Sequence, residues 1–485
     1  MNPVASTPFG LPSAPAGTDA RPSAYDLDRA ALDALVADLG APRYRAGQIW
    51  RWLYRGLATS FDAMTDLPVA LRAALGRRLR IDALDEVTRT TSDDRMALKF
   101  LFRLADGQLI ETVLMHYVDP ADDGDADVDI DRVADADDDD ETAGPLAAEP
   151  AAGDVPIGRH TVCLSTQAGC AMGCVFCATG QMGLVRNLTR GECVAQVVHA
   201  ARIVAAAGEK IDNIVFMGMG EPLANWAATW GAVETFTDRD GLALSPRRLT
   251  ISTVGIVPGI LRLARTRLPV RLAVSIHAAD DALRGRLVAV NETYGLDAIL
   301  DACRAYEAAG HRRITFEVVL IAGVNDDAAQ ASLLATRLAG LRCHVNLIPL
   351  NPTLGSAMRP SRYEDAVRFQ SILRDAGIPT SLRMRRGIEI AAGCSRLHAR
   401  RRSHRRTIPV TAEAGRPARS ADPSRVAAPS AATLAHMTAR PRPLTPDRPS
   451  PPSSSSRRSS RPTSLASPTR STPCCSRRHQ VCRST

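Results

Sequence analysis

From Val162 to Met384 the chain alternates short apolar runs rich in β-branched residues with longer helical stretches, and no other feature limits its fold so strongly. The runs are Val162–Ser165, Asn213–Met217, Arg248–Thr253, Leu272–Ile276, Ile314–Leu320, His344–Leu350 and Thr380–Met384, with helical stretches such as Thr189–Ala207 and Leu296–Ala309 between several of them. Strand–helix–strand repetition implies parallel strands joined by crossover helices. Six or seven such units predict an α/β fold built as a partial or full (β/α) barrel rather than a doubly wound sheet, although periodicity alone does not decide between them. No repeat of solenoid length is present.

Upstream the pattern is different. Leu32, Leu35, Val36 and Leu39 fall at i, i+3, i+4 and i+7, and Gly40 sits where a helix stop belongs. A second helix is expected through Ile49, Trp52 and Leu53, with Arg43, Arg45, Arg51 and Arg55 interleaved. Arg95–Leu104 and Gln108–Met115 read as two strands joined at Asp106-Gly107, a hairpin signal. The organisation expected is a disordered N-terminus (1–24), a helical accessory segment (25–94), a β-hairpin (95–118), an acidic flexible insertion (119–158), the barrel (159–397) and a low-complexity Arg/Ser/Pro tail (398–485).

Charge supports that division. Residues 396–485 hold nineteen Arg, no Lys and no aromatic residue against Glu413, Asp422 and Asp447, so they contribute +16 to a net charge of +8. Residues 119–141 hold thirteen acids against Arg132. Without both stretches the remainder is only mildly basic, and the sequence pI of about 9.1 belongs to the tail. No run of eighteen apolar residues occurs and the N-terminus lacks a basic, then apolar, leader. A cytoplasmic, non-membrane protein is expected, with its eleven cysteines serving as thiols, metal ligands or catalysts rather than structural disulfides.

Four of those cysteines, Cys163, Cys170, Cys174 and Cys177, lie within fifteen residues. The last three, spaced C-x3-C-x2-C, occupy a loop just after the first barrel strand, the end where active sites gather. A structural zinc would want a fourth Cys or His, and none is evident. A [4Fe–4S] cluster held by three thiolates keeps one iron open to another ligand. Cysteines without any ligand explain so dense a loop poorly.

The spacing, with Phe176 before the last thiol, resembles that of radical S-adenosylmethionine (SAM) enzymes. The likeness extends through Gln167–Gly183 (QAGCAMGCVFCATGQMG), Phe216–Asn225 (FMGMGEPLAN), Ser275–Ala278 (SIHA) and Asn346–Asn351 (NLIPLN). From about Leu27 to Leu397, interrupted by the acidic insertion, the chain is similar to the RlmN family of RNA methyltransferases. The resemblance implies one [4Fe–4S] cluster per chain on Cys170, Cys174 and Cys177, and SAM bound by Gly220, Glu221, Ser252, Ser275, Ile276, His277 and Asn351. It implies that Cys394, in RGIEIAAGCSRL, is methylated by SAM, that Glu111 is the base, and that Cys163 resolves a covalent RNA adduct, passing through a transient disulfide. The expected substrates are adenosine 2503 of 23S ribosomal RNA and adenosine 37 of some transfer RNAs.

Chemistry makes such a route necessary. Carbon 2 of adenine is electrophilic, so the methyl cation equivalent of SAM cannot simply be transferred to it. A 5′-deoxyadenosyl radical taking hydrogen from S-methyl-Cys394 would yield a methylene radical that can add to the ring. The target base has to leave its stack to reach Cys394, so single-stranded or partly unfolded RNA is expected. Dispersed arginines, Arg43, Arg45, Arg51, Arg55, Arg186 and Arg190, are candidates for phosphate contacts. A reductant such as a flavodoxin system, a monomeric state and no membrane partner complete the expectation.

Two alternatives stand beside it. One moves the target to carbon 8, as in the related Cfr-type methyltransferases. The other is an iron–sulfur RNA-binding protein without turnover, which would have no need of Glu111, Cys163 and Cys394 together. Cys193, Cys303 and Cys343 match nothing catalytic and are expected to be helix or core thiols. The sequence departs from the family in reading Cys394-Ser-Arg-Leu where Cys-Gly-Gln-Leu is usual, directly before the Arg/Ser/Pro stretch. A frameshifted reading of a GC-rich gene would produce such a stretch, and resequencing the 3′ end tests that.

Overall fold

The computed structural model describes residues 21–81, 83–117, 158–353 and 356–383, all within the first of two units of the chain, residues 1–430. Cys394, the acidic insertion through residue 157 and the Arg/Ser/Pro tail lie outside the described residues.

Three helices come first, at Arg29–Asp38, Tyr44–Tyr54 and Val69–Arg78. The first ends as its sequence predicts: Gly40 takes φ +69, Gly40 N–H donates to Ala37 C=O and Ala41 N–H to Val36 C=O, the paired bonds of a Schellman motif. The buried indole on the second helix is Trp50; Trp52 stays half-exposed and donates its ring N–H to Asp66. The segment docks on the long helix Arg190–Ala206. Asp26 Oδ1 accepts the Gly191 N–H at 2.7 Å, and Arg202 donates to Leu57 C=O, Ala58 C=O and Tyr25 Oη. The fit is close, since a Cβ at position 191 would lie 2.6 Å from Asp26 Cγ and 2.9 Å from its backbone nitrogen. Alanine normally improves a helical glycine position by about 1 kcal/mol. Here Gly191→Ala is expected to act with the opposite sign, costing roughly 1–3 kcal/mol. A lowered melting temperature together with faster proteolysis of the N-terminal helices checks this; unchanged melting would mean that the segment docks by other contacts.

Strands β1 (Asp85–Thr91), β2 (Ala97–Arg103) and β3 (Leu109–Tyr117) form an antiparallel meander. Its β2–β3 turn is the predicted one, with Gly107 at φ +83. β1 falls within the stretch expected to be helical; it is a half-exposed edge strand, so it lacks the apolar run that marks the others. β3 pairs antiparallel with β4 (Arg159–Cys163), closing the acidic insertion at its base with Tyr117 opposite Arg159. β5 (Gln167–Gly169) and β6 (Leu184–Asn187) make a separate two-stranded ribbon. The main sheet continues from β4 through β7 (Asn213–Phe216), β8 (Leu249–Thr253), β9 (Arg271–Ser275), β10 (Ile314–Leu320), β11 (Cys343–Pro349) and β12 (Thr380–Leu382), all parallel. Six of these seven strands coincide closely with a run predicted from sequence, and β4 overlaps its run only at Val162 and Cys163. Among the described residues the sheet has ten strands with β1 and β12 at its edges, a partial barrel. Crossover helices include Arg190–Ala206, whose Thr189 and Glu192 form a capping box, and Leu296–Ala308.

Candidate active site

Side-chain parity defines the working surface. On β3, Thr112 Oγ1 donates to Gln196 Oε1 of the Arg190–Ala206 helix at 2.7 Å, so Glu111 and Val113 face the other, concave side. Val113 stands opposite Cys163, and Cys163 opposite Val215. Carried along the paired strands, the same parity brings Ser252, Ser275, Glu317 and Asn346 to that wall. Thus Glu111, Cys163, Ser252 and Ser275, far apart in sequence, share one surface. Glu317 is buried there, its carboxyl pushed up by burial, and it accepts a hydrogen bond from Asn346 Nδ2 at 2.7 Å.

The cysteine loop leaves this wall just past β4. Cys170 N–H donates to Gly183 C=O at 2.9 Å, and β5 and β6 close the loop at its base. Gly173 and Gly183 take φ +62 and +72. Gly180 packs so closely that a Cβ would meet Cys174 backbone atoms at 3.0–3.1 Å. Cys170 and Cys174 are buried and Cys177 half-buried. Burial pushes the Cys170 thiol up to about 12, and it raises Cys174 well above the ordinary thiol range, reinforced by the charges of Cys177 and Cys170. Three adjacent thiolates are therefore costly here, and Cys174 stays raised even with the Arg284 charge acting on it. An iron–sulfur cluster held by these three thiols would supply the compensating positive charge. Among the described residues no three His, Cys, Asp or Glu side chains converge on a single ion. A structural zinc would want a fourth Cys or His, so a loop of three thiols suits the cluster better.

The turn after β7 lies against this loop. Gly220 has φ +107, and a Cβ there would lie 2.6 Å from Gln167 Cβ and 2.8 Å from its nitrogen, so the position requires glycine. Gln167 Oε1 accepts the Glu221 N–H at 2.8 Å while its Nε2 donates to Asn187 Oδ1 at 2.7 Å. The Glu221 carboxylate accepts N–H groups from Leu223 at 3.0 Å and Val254 at 2.9 Å. Burial pushes it up to about 7 despite those bonds, and its charge is felt at Cys170 and Cys174. Ser165 ties the wall to the same turn, donating to Glu111 C=O at 2.5 Å and accepting the Met219 N–H at 2.9 Å.

Beyond β9, His277 adopts φ +59, a strained conformation for a histidine. Its Nδ1 accepts the Val319 N–H at 3.2 Å, so the ring proton sits on Nε2, and burial, then Arg284, pulls its pKa down to about 3. The ring meets Phe176 of the cysteine loop edge-on, centroids 4.7 Å apart. Asn325 brackets the strained peptide, donating to His277 C=O and Val319 C=O and accepting from Ile321 N–H, all at 2.7 Å. Arg284 is fully buried, bonded to the carbonyls of Ile276 (3.1 Å) and Val254 (2.5 Å) and to Asn291 Oδ1 (2.6 Å), and its charge reaches Cys174. Asn351, just past β11, is buried.

Sequence reasoning passed over Ser165, Gln167, Arg284 and Asn325. Gln167 stands inside the quoted cysteine motif and could have been found there; the others carry no local signal. Arg186 and Arg190 are used internally. Arg186 pairs with Asp106 at 2.5 Å and Glu192 at 2.8 Å, and Arg190 donates to Thr235. Arg43 and Arg51 remain exposed on the N-terminal helices. Cys193, Cys303 and Cys343 are buried free thiols, as expected.

Two family descriptions match this chain. Residues 164–334 match the radical SAM superfamily, and residues 24–81 match the N-terminal domain of ribosomal RNA large subunit methyltransferases. A dual-specificity RNA methyltransferase RlmN 1 from Myxococcus xanthus is 45% identical over 396 residues, covering 81% of this chain and 99% of its own. The chain belongs to the RlmN family. A probable RlmN of Chloroflexus aurantiacus is 44% identical over 387 residues, 78% of this chain and 92% of its own. A crystal structure of a radical SAM methyltransferase from Sphaerobacter thermophilus superposes with a TM-score of 0.69 at 47% identity, covering 78% of this chain and all of that one. As an RlmN-family chain it is a radical SAM RNA methyltransferase, a superfamily whose members carry a [4Fe–4S] cluster and use SAM. No described helix is long and apolar enough to cross a membrane.

Proposed function

We propose that this protein methylates carbon 2 of adenosine, at position 2503 of 23S ribosomal RNA and position 37 of transfer RNAs, through a methyl group carried on Cys394. The observation that carries this reading is the pairing of Val113 with Cys163, because it sets Glu111 and Cys163 side by side on the concave wall at the root of the cysteine loop. A binding-only protein would have no use for that conjunction.

Cys170, Cys174 and Cys177 would hold the cluster, and Gly220, Glu221, Ser252, Ser275, Ile276, His277 and Asn351 would hold SAM. Cluster and SAM together supply the one-electron chemistry that lets an unreactive methyl C–H bond be opened. The rest falls to the chain. Cys394 holds the methyl carbon on its sulfur until that carbon is joined to the base. Glu111 takes the proton that carbon 2 must lose. Cys163, as thiolate, attacks the Cys394 sulfur; the sulfur–carbon bond breaks, its electron pair stays with the carbon, which takes up a proton to become the methyl group, and the disulfide left behind must be reduced before the next turn. An electron donor of the flavodoxin kind, cytoplasmic location and action as a monomer belong to the same proposal.

The test is anaerobic reconstitution with iron and sulfide, followed by incubation with SAM, a reductant and unmethylated 23S ribosomal RNA or transfer RNA. Mass spectrometry of the digested RNA should give 2-methyladenosine, and none with Cys394→Ala. 8-Methyladenosine would move the target to the other carbon; no product with an intact cluster would favour binding without turnover.

A further inference from the structure

Glu111 has to be ionised when it meets the proton it is to remove, yet it is 4% exposed. Burial by itself favours the neutral carboxyl. The structure sets a cation against it: Lys99 Nζ lies 3.3 Å from Glu111 Oε1, with the side chains 13% and 5% exposed. Register explains the contact. Lys99 stands opposite Val113, and Val113 opposite Cys163, so the three residues form a row across β2, β3 and β4 on the concave wall. The lysine reaches diagonally from that row to Glu111, a normal cross-strand approach. Its neighbours Phe100 and Phe102 are not on this wall; both pack edge-on against His199 of the docking helix.

The identity of the cation is informative. Lys99 and Lys210 are the chain's two lysines, against fifty-eight arginines. In so arginine-rich a sequence, lysine at this position departs from the chain's own usage. Chemistry offers a reason. An arginine fork engages both oxygens of a carboxylate in one plane, whereas an ammonium is a compact charge on a flexible stem that meets one oxygen. A compact charge that does not clamp the carboxylate in one plane is compatible with a proton arriving there.

We propose that Lys99 is a positioning residue, which holds Glu111 as an oriented carboxylate on the concave wall beside Cys163 and acts as a lysine rather than as any cation. The inference rests on the proposed role of Glu111. In the step it serves, the carbon 2–hydrogen bond breaks, its electron pair stays with the ring, and the proton passes to Glu111. Other groups near Glu111 are the Cys163 thiol of β4, the Ser165 hydroxyl that holds its carbonyl, and neutral Gln167–Gly169 of β5. Glu192 and His199 belong to the helix behind the sheet.

Infrared difference spectra of the full-length protein, with the Glu111 carboxyl band assigned by its loss in E111Q, read the charge of Glu111 without turnover. At pH 7 wild type and K99R should show the ionised form, and K99M the protonated form, which ionises only at higher pH. The sign follows from removing a cation: the Glu111 pKa rises, and the carboxylate is lost on descending from a higher pH. In single-turnover methylation the acid limb of the K99M pH profile should move up by at least one unit, about tenfold slower on that limb. K99R should keep the limb in place and be slower at every pH. Glu111 equally ionised in K99M and wild type would overturn the proposal. Normal turnover by E111Q would instead remove Glu111 as base, while the spectra would still decide whether Lys99 sets its charge.

Discussion

Cys163→Ala is expected to stop turnover after a single event and to leave RNA covalently bound to the protein. Cys163 is buried at the end of β4, one strand away from Glu111, and its proposed task comes last. Everything before the attack on Cys394 can proceed without it, so the bond between the Cys394-borne carbon and adenine forms and is then stranded. Free 2-methyladenosine should fall by roughly a hundredfold or more, as expected when a nucleophile is removed from its step. Denaturing gels should show an RNA–protein band in Cys163→Ala that is absent from the Cys163→Ala/Cys394→Ala double variant. Trading a buried thiol for a methyl group is a small packing change, so folding should survive. Sustained turnover by Cys163→Ala would remove this thiol from the chemistry.

The second large effect is expected at the base of the cysteine loop. A Cβ on Gly169 would sit 1.9 Å from Gly183 C=O, and Gly169 takes φ +78 where the β5–β6 pairing is interrupted by an irregularity. Gly169→Ala therefore has to open the pinch that closes the loop, at a cost of roughly 2–4 kcal/mol. Because Cys170 follows directly and donates to the same Gly183 carbonyl, iron bound per chain after reconstitution should drop sharply. Gly183→Ala is the control. It has a similar φ of +72 but open space around its Cβ, so only the left-handed cost of about 1–2 kcal/mol applies, with iron content retained. Equal iron in both variants would mean that the ribbon does not shape the cluster site.

The contrast between these glycines illustrates what a sequence reveals and what it hides. Strands with no fully exposed position write themselves as apolar runs, which is why the seven parallel strands were legible, β4 only at its Val162–Cys163 end. β1 was not, because a half-exposed edge strand has no such run to display. Cys170, Cys174 and Cys177 were legible because ligands on one loop keep a local spacing. Cys163, Glu111, Ser252 and Ser275 were linked only by resemblance; that they occupy one wall is a property of strand register, which no local pattern encodes. Ser165, Arg284 and Asn325 are further removed still. Each is an ordinary residue type whose importance lies in the carbonyls and N–H groups that folding brings to it. Arg186 and Arg190 show the converse case, since cations read from sequence as candidates for phosphate also have acidic and hydroxyl partners within the fold.

The pairing of Tyr117 with Arg159 also separates two design problems. Partner residues across an antiparallel pair stand only about 5 Å apart, so the chain between them can be of any length that returns to its starting point. The closure entropy of such a loop grows only logarithmically, by about 0.6 kcal/mol for each doubling. This corner of the barrel therefore behaves as a port. Cargo can be gained, lost or exchanged there through evolution, or spliced in by an engineer, while the distance from Glu111 to Cys163 is set by the sheet alone.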